Sequence, residues 1–360
     1  MIGSKCFPKD KRYGIAAQFQ GEFLFGNPNF MIYRPTDRRI DRLIHLLVEN
    51  ATVVLPGPKI AAEISVARST VWKWVEKMRS LGVDIQGYPA SGYRLRKLPD
   101  LLAPSLVRAE LGECPIGHKL IHYFVVDSTN TVAMELAANG VAHGTVVVAE
   151  EQTAGRGRFG RAWYSQKSAG IYASIVLRPP LPPSAAPILT LCAGLAARQA
   201  VQAETALAVD IRWPNDLLLG GRKAGGILTE MNAELDRVHA VVIGIGLNVN
   251  HEIMPPELAN TATSLRIVSG KTCSRIRLLA ALLKQTEVFY SRLLSEGGAA
   301  IAREWEAASS FASGKRVRVR QGSGESIGTT CGLEPSGALR VHFEDGRVDA
   351  LSSGEVLEVK

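Results

Sequence analysis

The sequence predicts an α+β protein of several domains, on three observations. A chain of 360 residues exceeds the usual length of one domain, and a hydrophobic fraction of 46% suffices for an ordered core. Three short helical segments are followed by an alternating, basic stretch. A longer body then mixes strand-like and helical segments and ends in strand-like runs. We therefore expect an irregular extension (1–37), a helical module (38–98), an α/β domain (99–312) and a small β-rich domain (313–360).

The helical module has three helices and a hairpin. Apolar residues recur at helical spacing over 38–50, a second helix starts near Pro58, and a third spans 68–80 and stops at Gly82. The stretch 83–97 alternates around a turn that contains Pro89 and Gly92, as in a β-hairpin. Three short helices and a hairpin form the pattern of a winged helix-turn-helix.

The charge of the chain is concentrated in this module. Residues 38–97 contain 11 Lys and Arg against 5 Asp and Glu, whereas residues 98–360 contain 26 of each sign. This positive charge lies on the predicted exposed face of the third helix and in the wing, which favours DNA binding over the alternative, a module used for protein contacts. The predicted DNA-binding residues are Arg68, Ser69, Thr70, Lys73, Lys77 and Arg94.

The body has the pattern of an α/β catalytic domain. Its predicted strands are 119–126, 144–150, 171–177, 209–213, 226–230 and 238–249, and its predicted helices are 103–111, 130–139, 187–206 and 274–295. The tail has strand-like runs at 316–320, 328–333, 339–344 and 356–359, separated by Gly-rich turns. A small β-barrel of the SH3-like type fits this tail.

Other function classes find little support in the composition. The five cysteines are far apart and form no metal-ligand or disulfide pattern, so we expect no metal site of the protein's own. No apolar run is long enough for a bilayer and no signal-peptide pattern opens the chain, so we expect no membrane partner and a cytoplasmic location.

One loop has an unusual composition. Between Gly155 and Trp163, three glycines alternate with three arginines directly after a strand. Backbone N–H groups and guanidinium groups in such a loop can approach an anion closely. The loop has neither the ending of a Walker A motif nor the spacing of a dinucleotide fold.

Five motifs in order give this chain a resemblance to a known family. They are Asp127-Ser128-Thr129-Asn130, the GRGRxGR loop, Arg212-Trp213-Pro214-Asn215-Asp216, the segment from Lys223 to Leu228, and the segment from Gly244 to Asn250. The order resembles that of biotin protein ligases, and with the winged helix the chain is similar to the bifunctional ligase and biotin operon repressor family. The resemblance covers roughly residues 38–360.

The resemblance implies a catalytic domain like that of biotin and lipoate ligases, with these site residues. The biotin-binding positions are Ser128, Thr129, Asn130, Gln152, Arg156, Gly157, Arg158 and Lys223. Those for ATP and the adenylate are Gly155, Arg156, Arg158, Arg161, Trp163, Asn215 and Lys223, and the catalytic ones are Lys223, Arg156, Arg158 and Asp216.

Simpler interpretations stay open for several of these residues. Ser128 to Asn130 could cap a helix, Trp163 could be a core residue, and an Asn-Asp pair after proline is a common turn. Asp216 could orient Lys223 or hold Mg²⁺ beside the ATP phosphates.

The resemblance also implies a reaction and partners. Biotin is the substrate, ATP activates it with Mg²⁺, and a lysine of a biotin carboxyl carrier protein, the acetyl-CoA carboxylase subunit, accepts it. Operator DNA and a second copy of the chain in a homodimer are the other expected partners. Two alternatives are a lipoate protein ligase and a ligand-sensing transcriptional regulator without catalysis. The GRGRxGR loop and the N-terminal module favour biotin, and the retained Lys223 favours catalysis.

Overall fold

The structure, a computed structural model, describes residues 34–322 and 324–359. The irregular extension predicted for residues 1–37 therefore falls mainly outside the described residues.

The N-terminal module contains helices α1 (Arg38–Glu49), α2 (Gly57–Glu63) and α3 (Arg68–Ser80) and the hairpin strands β1 (Ile85–Tyr88) and β2 (Gly92–Leu95). The carboxylate of Asp37 caps α1 by accepting the backbone N–H of Arg39. Gly92 has φ +135°, and a Cβ there would overlap the carbonyl oxygen of Leu55, which pairs with Tyr93. The predicted three helices and wing are confirmed.

The core of this module extends beyond its own helices. Leu43, Leu47 and Val71 are fully buried or nearly so, and they share one apolar cluster with Leu101 and Leu106. Leu106 belongs to α4 (Pro104–Leu111). The segment that follows the wing, from Leu101 to α4, is thus packed against the module.

The body is built on a seven-stranded mixed sheet with the order β3-β4-β5-β9-β8-β7-β6. Its strands are β3 (Lys119–Tyr123), β4 (Thr145–Ala149), β5 (Gly170–Leu177), β6 (Asp210–Arg212), β7 (Asp216–Leu219), β8 (Arg222–Ala233) and β9 (Val238–Asn248). Strands β3 and β4 are parallel, and the other pairs are antiparallel. β7 is absent from the predicted strands.

Helices cover both faces of this sheet. Helix α5 (Thr129–Ala138) packs on one face, where Ala133 and Ala137 contact apolar residues of β4, β5 and β9. Helices α6 (Ile188–Thr205), α8 (Arg275–Glu296) and α9 (Gly298–Ala308) pack in the main apolar cluster on the other. The short α7 (Leu265–Ser269) follows β9. Neither α7 nor α9 was predicted.

Helix α6 and the residues before it, Pro183–Thr205, are long and apolar enough to cross a membrane by composition alone. Two thirds of the tested window is buried inside the protein, and the helix contacts α8, α9 and strands of the large sheet. Its apolar surface is thus accounted for by the core.

The tail forms a five-stranded antiparallel sheet in the order β13-β12-β11-β10-β14. The strands are β10 (Ser313–Gln321), β11 (Gly324–Leu333), β12 (Leu339–Phe343), β13 (Val348–Leu351) and β14 (Glu355–Glu358). Val317, Val341 and Val356 are buried and belong to the same apolar cluster as the body. The predicted small β domain is therefore present, and β13 is an addition to the predicted strands.

Candidate active site

A cleft lies over the middle of the large sheet, and glycines of β8 and β9 are part of its lining. Its lining contains these predicted residues: Ser128, Thr129, Asn130, Gln152, Arg156, Gly157, Arg158, Arg161, Trp163, Asn215, Asp216 and Lys223. Gly155 is buried beside the lining, where its carbonyl oxygen accepts the backbone N–H of Trp163 at 2.8 Å. The structure thus brings together residues that are nearly 100 positions apart.

Glycines on two neighbouring strands form the floor of the cleft. A Cβ at Gly246 would lie 2.5 Å from the ring of Trp163, and one at Gly244 would lie 2.1 Å from Oδ1 of Asn130. Gly226, paired with Gly246 across β8 and β9, would also approach Trp163. The two strands carry glycine here because the indole and the amide lie directly on the sheet. Trp163 is therefore a half-buried wall of the cleft, and its Nε1 has no partner among the described residues.

The carboxyl end of β4 and the start of α5 meet at one end of the cleft. Oε1 of Gln152 accepts the backbone N–H of Thr129 at 2.9 Å and lies 3.1 Å from its hydroxyl oxygen. Nδ2 of Asn130 donates to the carbonyl oxygen of Leu228 and to the Glu230 carboxylate. These bonds fix three polar side chains against the sheet.

The capping interpretation of Ser128 is wrong in its simple form. Ser128 is the N-cap residue of α5, but within the described residues its side chain accepts no capping hydrogen bond. The hydroxyl group therefore remains available on the cleft wall.

The arginine-rich loop forms a closed hairpin. Arg156 and Ala162 form an isolated bridge, and the N–H of Gly157 donates to the carbonyl oxygen of Arg161 at 2.7 Å. At the tip, Phe159 has φ +56° and an exposed ring, and the Arg158 guanidinium lies 4.8 Å from its centroid. The backbone of this loop, which we call the lid, is held in a defined turn.

Each lid arginine has a partner elsewhere in the fold. Arg156 pairs with Glu230 at 2.9 Å and Arg161 pairs with Glu355 through two bonds of 2.7 Å. Arg158 donates to Oδ1 of Asn215 and to the carbonyl oxygen of Gly354. Glu230 and Glu355 were not among the predicted site residues, because the first lies mid-strand and the second lies in the tail, outside every motif.

Lys223 and Asp216 form the charged centre of the cleft. Nζ of Lys223 lies 2.6 Å from Oδ1 of Asp216, and the other carboxylate oxygen accepts from Arg212 at 2.7 Å. Burial alone would raise the pKa of Asp216, but the Lys223 and Arg212 charges outweigh it and hold that pKa below its usual value. Of the two roles open for Asp216, orienting Lys223 is the one that this geometry displays.

The described residues offer no cage of protein ligands for a metal ion. They contain no group of three His, Cys, Asp or Glu side chains that could hold one. Asp216, a carboxylate in the lining of the cleft, already pairs with two cations. Cys114, Cys192, Cys273 and Cys331 are free, and Cys6 lies outside the described residues.

A second, basic surface lies on α3 and the wing. Arg68, Ser69 and Lys73 are exposed and Thr70 is half-buried. Trp72, which the sequence analysis did not single out, is 55% exposed on the same helix. It lines a groove between α3 and the wing together with Arg68.

The other two predicted DNA-binding cations lie against aromatic rings. The Arg94 guanidinium lies 5.4 Å from the centroid of the Tyr88 ring, within the wing. The ammonium of Lys77 lies 5.6 Å from the Phe124 ring centroid, so it sits where the module meets the body. Lys77 thus differs in position from the exposed cations at the start of α3.

Comparisons with known proteins match this architecture. The biotin/lipoate A/B protein ligase family model matches residues 122–248, and a helix-turn-helix domain model matches residues 39–94. The chain is 39% identical over 306 residues to the bifunctional ligase/repressor BirA of Bacillus spizizenii, covering 84% of this chain and 94% of that protein. It is 29% identical to the Escherichia coli protein of the same name, over 83% and 91% of the two chains.

A solved structure agrees with these sequence matches. The biotin protein ligase from Aquifex aeolicus in complex with biotin and ATP aligns with a TM-score of 0.59 and 28% identity, over 67% of this chain and all of that one. Fold and cleft together define the class of protein ligases that carry a helix-turn-helix domain. The chain belongs to the bifunctional ligase/repressor family that includes BirA.

Proposed function

We propose that this protein activates biotin with ATP and transfers it to a lysine of a biotin carboxyl carrier protein. A carboxylate oxygen of biotin attacks the α-phosphorus of ATP, the bond to the β-phosphate oxygen breaks, and pyrophosphate leaves. The amine of the acceptor lysine then attacks the acyl carbon, loses a proton, and AMP leaves. The product is an amide.

One observation carries this proposal: a single cleft brings cationic side chains together with fixed, uncharged hydrogen-bonding groups. Lys223 and the lid arginines Arg156 and Arg158 supply the positive charge that a carboxylate and an α-phosphate need. Thr129 and Gln152 supply the fixed hydrogen-bonding groups that suit a ureido ring. Charge that develops on the phosphate oxygens is best stabilised by such preorganised donors.

Each group has a proposed task in the two steps. Lys223, held by Asp216, binds the biotin carboxylate and then the bridging oxygen of the adenylate. Arg156 and Arg158 bind phosphate oxygens, and Gly155 and Gly157 let the lid backbone approach them. Asn215, Arg161 and Trp163 would contact the nucleotide. The lid also excludes water, which would otherwise hydrolyse the mixed anhydride.

We further propose that Mg²⁺ enters with ATP. A magnesium ion bound mainly through substrate phosphates and waters is common, and it neutralises phosphate charge. The carboxylate of Asp216, shared by Lys223 and Arg212, is compatible with this arrangement because the protein need not supply a full set of ligands.

The N-terminal module supports a second activity, repression of transcription. We propose that Arg68, Ser69, Thr70, Lys73 and Arg94 contact operator DNA, and that Lys77 contributes charge at the inner end of the helix. One small winged helix has limited contact area, so two copies in a homodimer would read paired half-sites. We propose a cytoplasmic protein whose adenylate-bound form dimerises more readily.

Two experiments test the proposal. Pyrophosphate release is measured with ATP, Mg²⁺ and either biotin or lipoate, and labelled biotin is followed onto an acceptor domain. Release that depends on lipoate and not on biotin contradicts the proposed substrate. Sedimentation with biotin and ATP, beside gel shifts at stated salt, tests the dimer and the DNA contact. A protein that stays monomeric and shows no sequence preference contradicts the regulatory part.

A further inference from the structure

A buried hydroxyl group lies behind the polar side chains at the start of α5, and no role is assigned to it. Ser174, on β5, has 0% exposure. Its Oγ lies 2.6 Å from Oδ1 of Asn130 and 2.8 Å from Oγ1 of Thr129. It therefore contacts two residues of the predicted biotin site without being part of the cleft lining itself.

The partners of Asn130 fix the direction of these bonds. Its amide group faces the carbonyl oxygen of Leu228 at 3.2 Å and a carboxylate oxygen of Glu230 at 2.8 Å. Both oxygens accept hydrogen bonds, so the amide nitrogen must point to them and Oδ1 must point to Ser174. Both amide protons of Asn130 are thus used inside the protein.

The orientation of the Asn130 amide also sets the hydrogen-bond direction at Ser174 and at the Thr129 hydroxyl. Because Oδ1 of Asn130 only accepts, the single proton of Ser174 goes to it. In its 2.8 Å contact with Thr129, Ser174 can then only accept. The other neighbour of the Thr129 hydroxyl, Oε1 of Gln152, is also an acceptor, at 3.1 Å. The proton of Thr129 is therefore directed inward, and a lone pair remains for the cleft.

We propose that Ser174 is a positioning residue that makes Thr129 a hydrogen-bond acceptor toward the cleft, and thereby selects a substrate head group that presents an N–H. The inference rests on the proposed use of biotin. The ureido ring of biotin carries two N–H groups, whereas the dithiolane ring of lipoate carries none. Asn130 then acts on the substrate through Ser174 and Thr129, and not through its own amide.

An acceptor that needs an N–H from the substrate discriminates strongly against head groups that lack one. A head group without the N–H leaves the accepting lone pair of the buried Thr129 hydroxyl without a donor, and a buried acceptor that loses its donor is costly. Sites built to bond a substrate N–H or O–H reject analogues that lack it far better than apolar pockets reject an extra or missing methylene. The polar network thus adds discrimination that cleft shape alone does not give.

The test compares Ser174→Ala with Thr190→Ala. Thr190 bonds the hydroxyl of Thr229 at 2.8 Å, between α6 and β8, so the control removes a hydroxyl outside the cleft lining. Adenylation rates are measured with biotin, with desthiobiotin, which keeps the ureido group, and with biotin methylated on either ureido nitrogen. In Ser174→Ala, the Thr129 proton loses one of its two inward acceptors and can turn toward the cleft.

We expect Ser174→Ala to lower kcat/KM for biotin about tenfold, mainly through KM. The preference for biotin over one methylated analogue should fall about tenfold, while the preference for biotin over desthiobiotin stays within about twofold. Thr190→Ala should leave both preferences unchanged. Equal losses on all substrates, or an unchanged preference for biotin over both methylated analogues, would overturn the assignment.

A second variant keeps the test decisive if Ser174→Ala does not fold. Thr129→Val removes the acceptor itself and should reduce the same preference for the N–H. The two substitutions together should lose no more than Thr129→Val alone, since both act on one bond. An unchanged preference in Thr129→Val contradicts the inference. A parent protein that does not adenylate biotin at all contradicts the proposed function instead.

Discussion

Removal of the Lys223 ammonium should separate catalysis from folding. The side chain is one third exposed, and its ion pair is with Asp216 at 2.6 Å. In Lys223→Ala the carboxylate keeps Arg212 at 2.7 Å, so it is not left as an unpaired buried charge. We therefore expect a loss of stability of about 1 kcal/mol, which lowers Tm by roughly 1–2 °C in a chain of this size.

The effect on adenylate formation should be much larger. Loss of one preorganised donor that stabilises developing negative charge typically costs about 10²–10³ in rate. Single-turnover pyrophosphate release at saturating ATP and biotin measures this step, and circular dichroism checks the fold. Lys284→Ala is the matched control, because Lys284 is an exposed lysine of α8 whose ammonium, among the described residues, donates to the carbonyl oxygen of Glu110 alone.

Two results would refute the reasoning. A release rate in Lys223→Ala within about twofold of the parent removes the ammonium from the mechanism, since the expected loss is about 10²–10³. A variant that unfolds under conditions where Lys284→Ala remains native shows that the pair with Asp216 is structural. In that case Arg212 does not compensate the Asp216 carboxylate when Lys223 is removed.

Three further predictions concern the lid, a buried carboxylate and the DNA surface. Arg158→Gly removes the bonds to Asn215 and to the Gly354 carbonyl and loosens the lid, so activated biotin should escape and label bystander proteins; adenylate retained as in the parent contradicts this. Burial alone would raise the pKa of Glu150, but Arg275 and the bond from His122 hold it at about 2. A carboxyl group whose pKa is lower in the folded state than its ordinary value of 4.5 stabilises the fold at pH values above 4.5. About 3 kcal/mol of unfolding free energy should therefore be lost as the pH falls from about 4.5 to 2. Urea unfolding of Glu150→Gln should lack this pH dependence. Lys73→Ala should weaken DNA binding and reduce its salt dependence by about one ion, whereas an unchanged salt slope in gel shifts places Lys73 outside the interface.

Periodicity in the sequence predicted the helices and strands whose signal is local. The bounds of α3 and the three-helix and wing order follow from apolar spacing and from glycine and proline stops. The elements that were not predicted, such as β7 and α9, have weak local signals. Strand β7 has four residues and starts in a motif that is typical of a turn, and α9 begins at Gly298 and is rich in alanine and charge. Their formation depends on pairing with β8 and on burial of Trp305.

The candidate site could be predicted where its residues lie in short motifs. Thr129, Gln152 and Lys223 were found in this way, and the structure places them in one cleft. Glu230 and Glu355 could not be found, because each belongs to the site only through the lid arginine that the fold places beside it. A single sequence carries no record of such distant pairs.

Glu150 lies outside the five motifs, but its buried side chain connects several distant segments of the chain. Its backbone carbonyl oxygen and carboxylate both accept from Ser168, so they close the two ends of the segment that contains the lid. The same carboxylate pairs with the buried Arg275 at 2.9 Å and accepts the backbone N–H of Leu102 at 2.8 Å. Arg275 in turn pairs with Asp100, in the segment that follows the winged helix. The base of the lid and the connection to the DNA-binding module therefore rest on one buried charge pair. Since a buried ion pair is costly to break, Glu150 and Arg275 tie the base of the lid to the segment that leads from the winged helix.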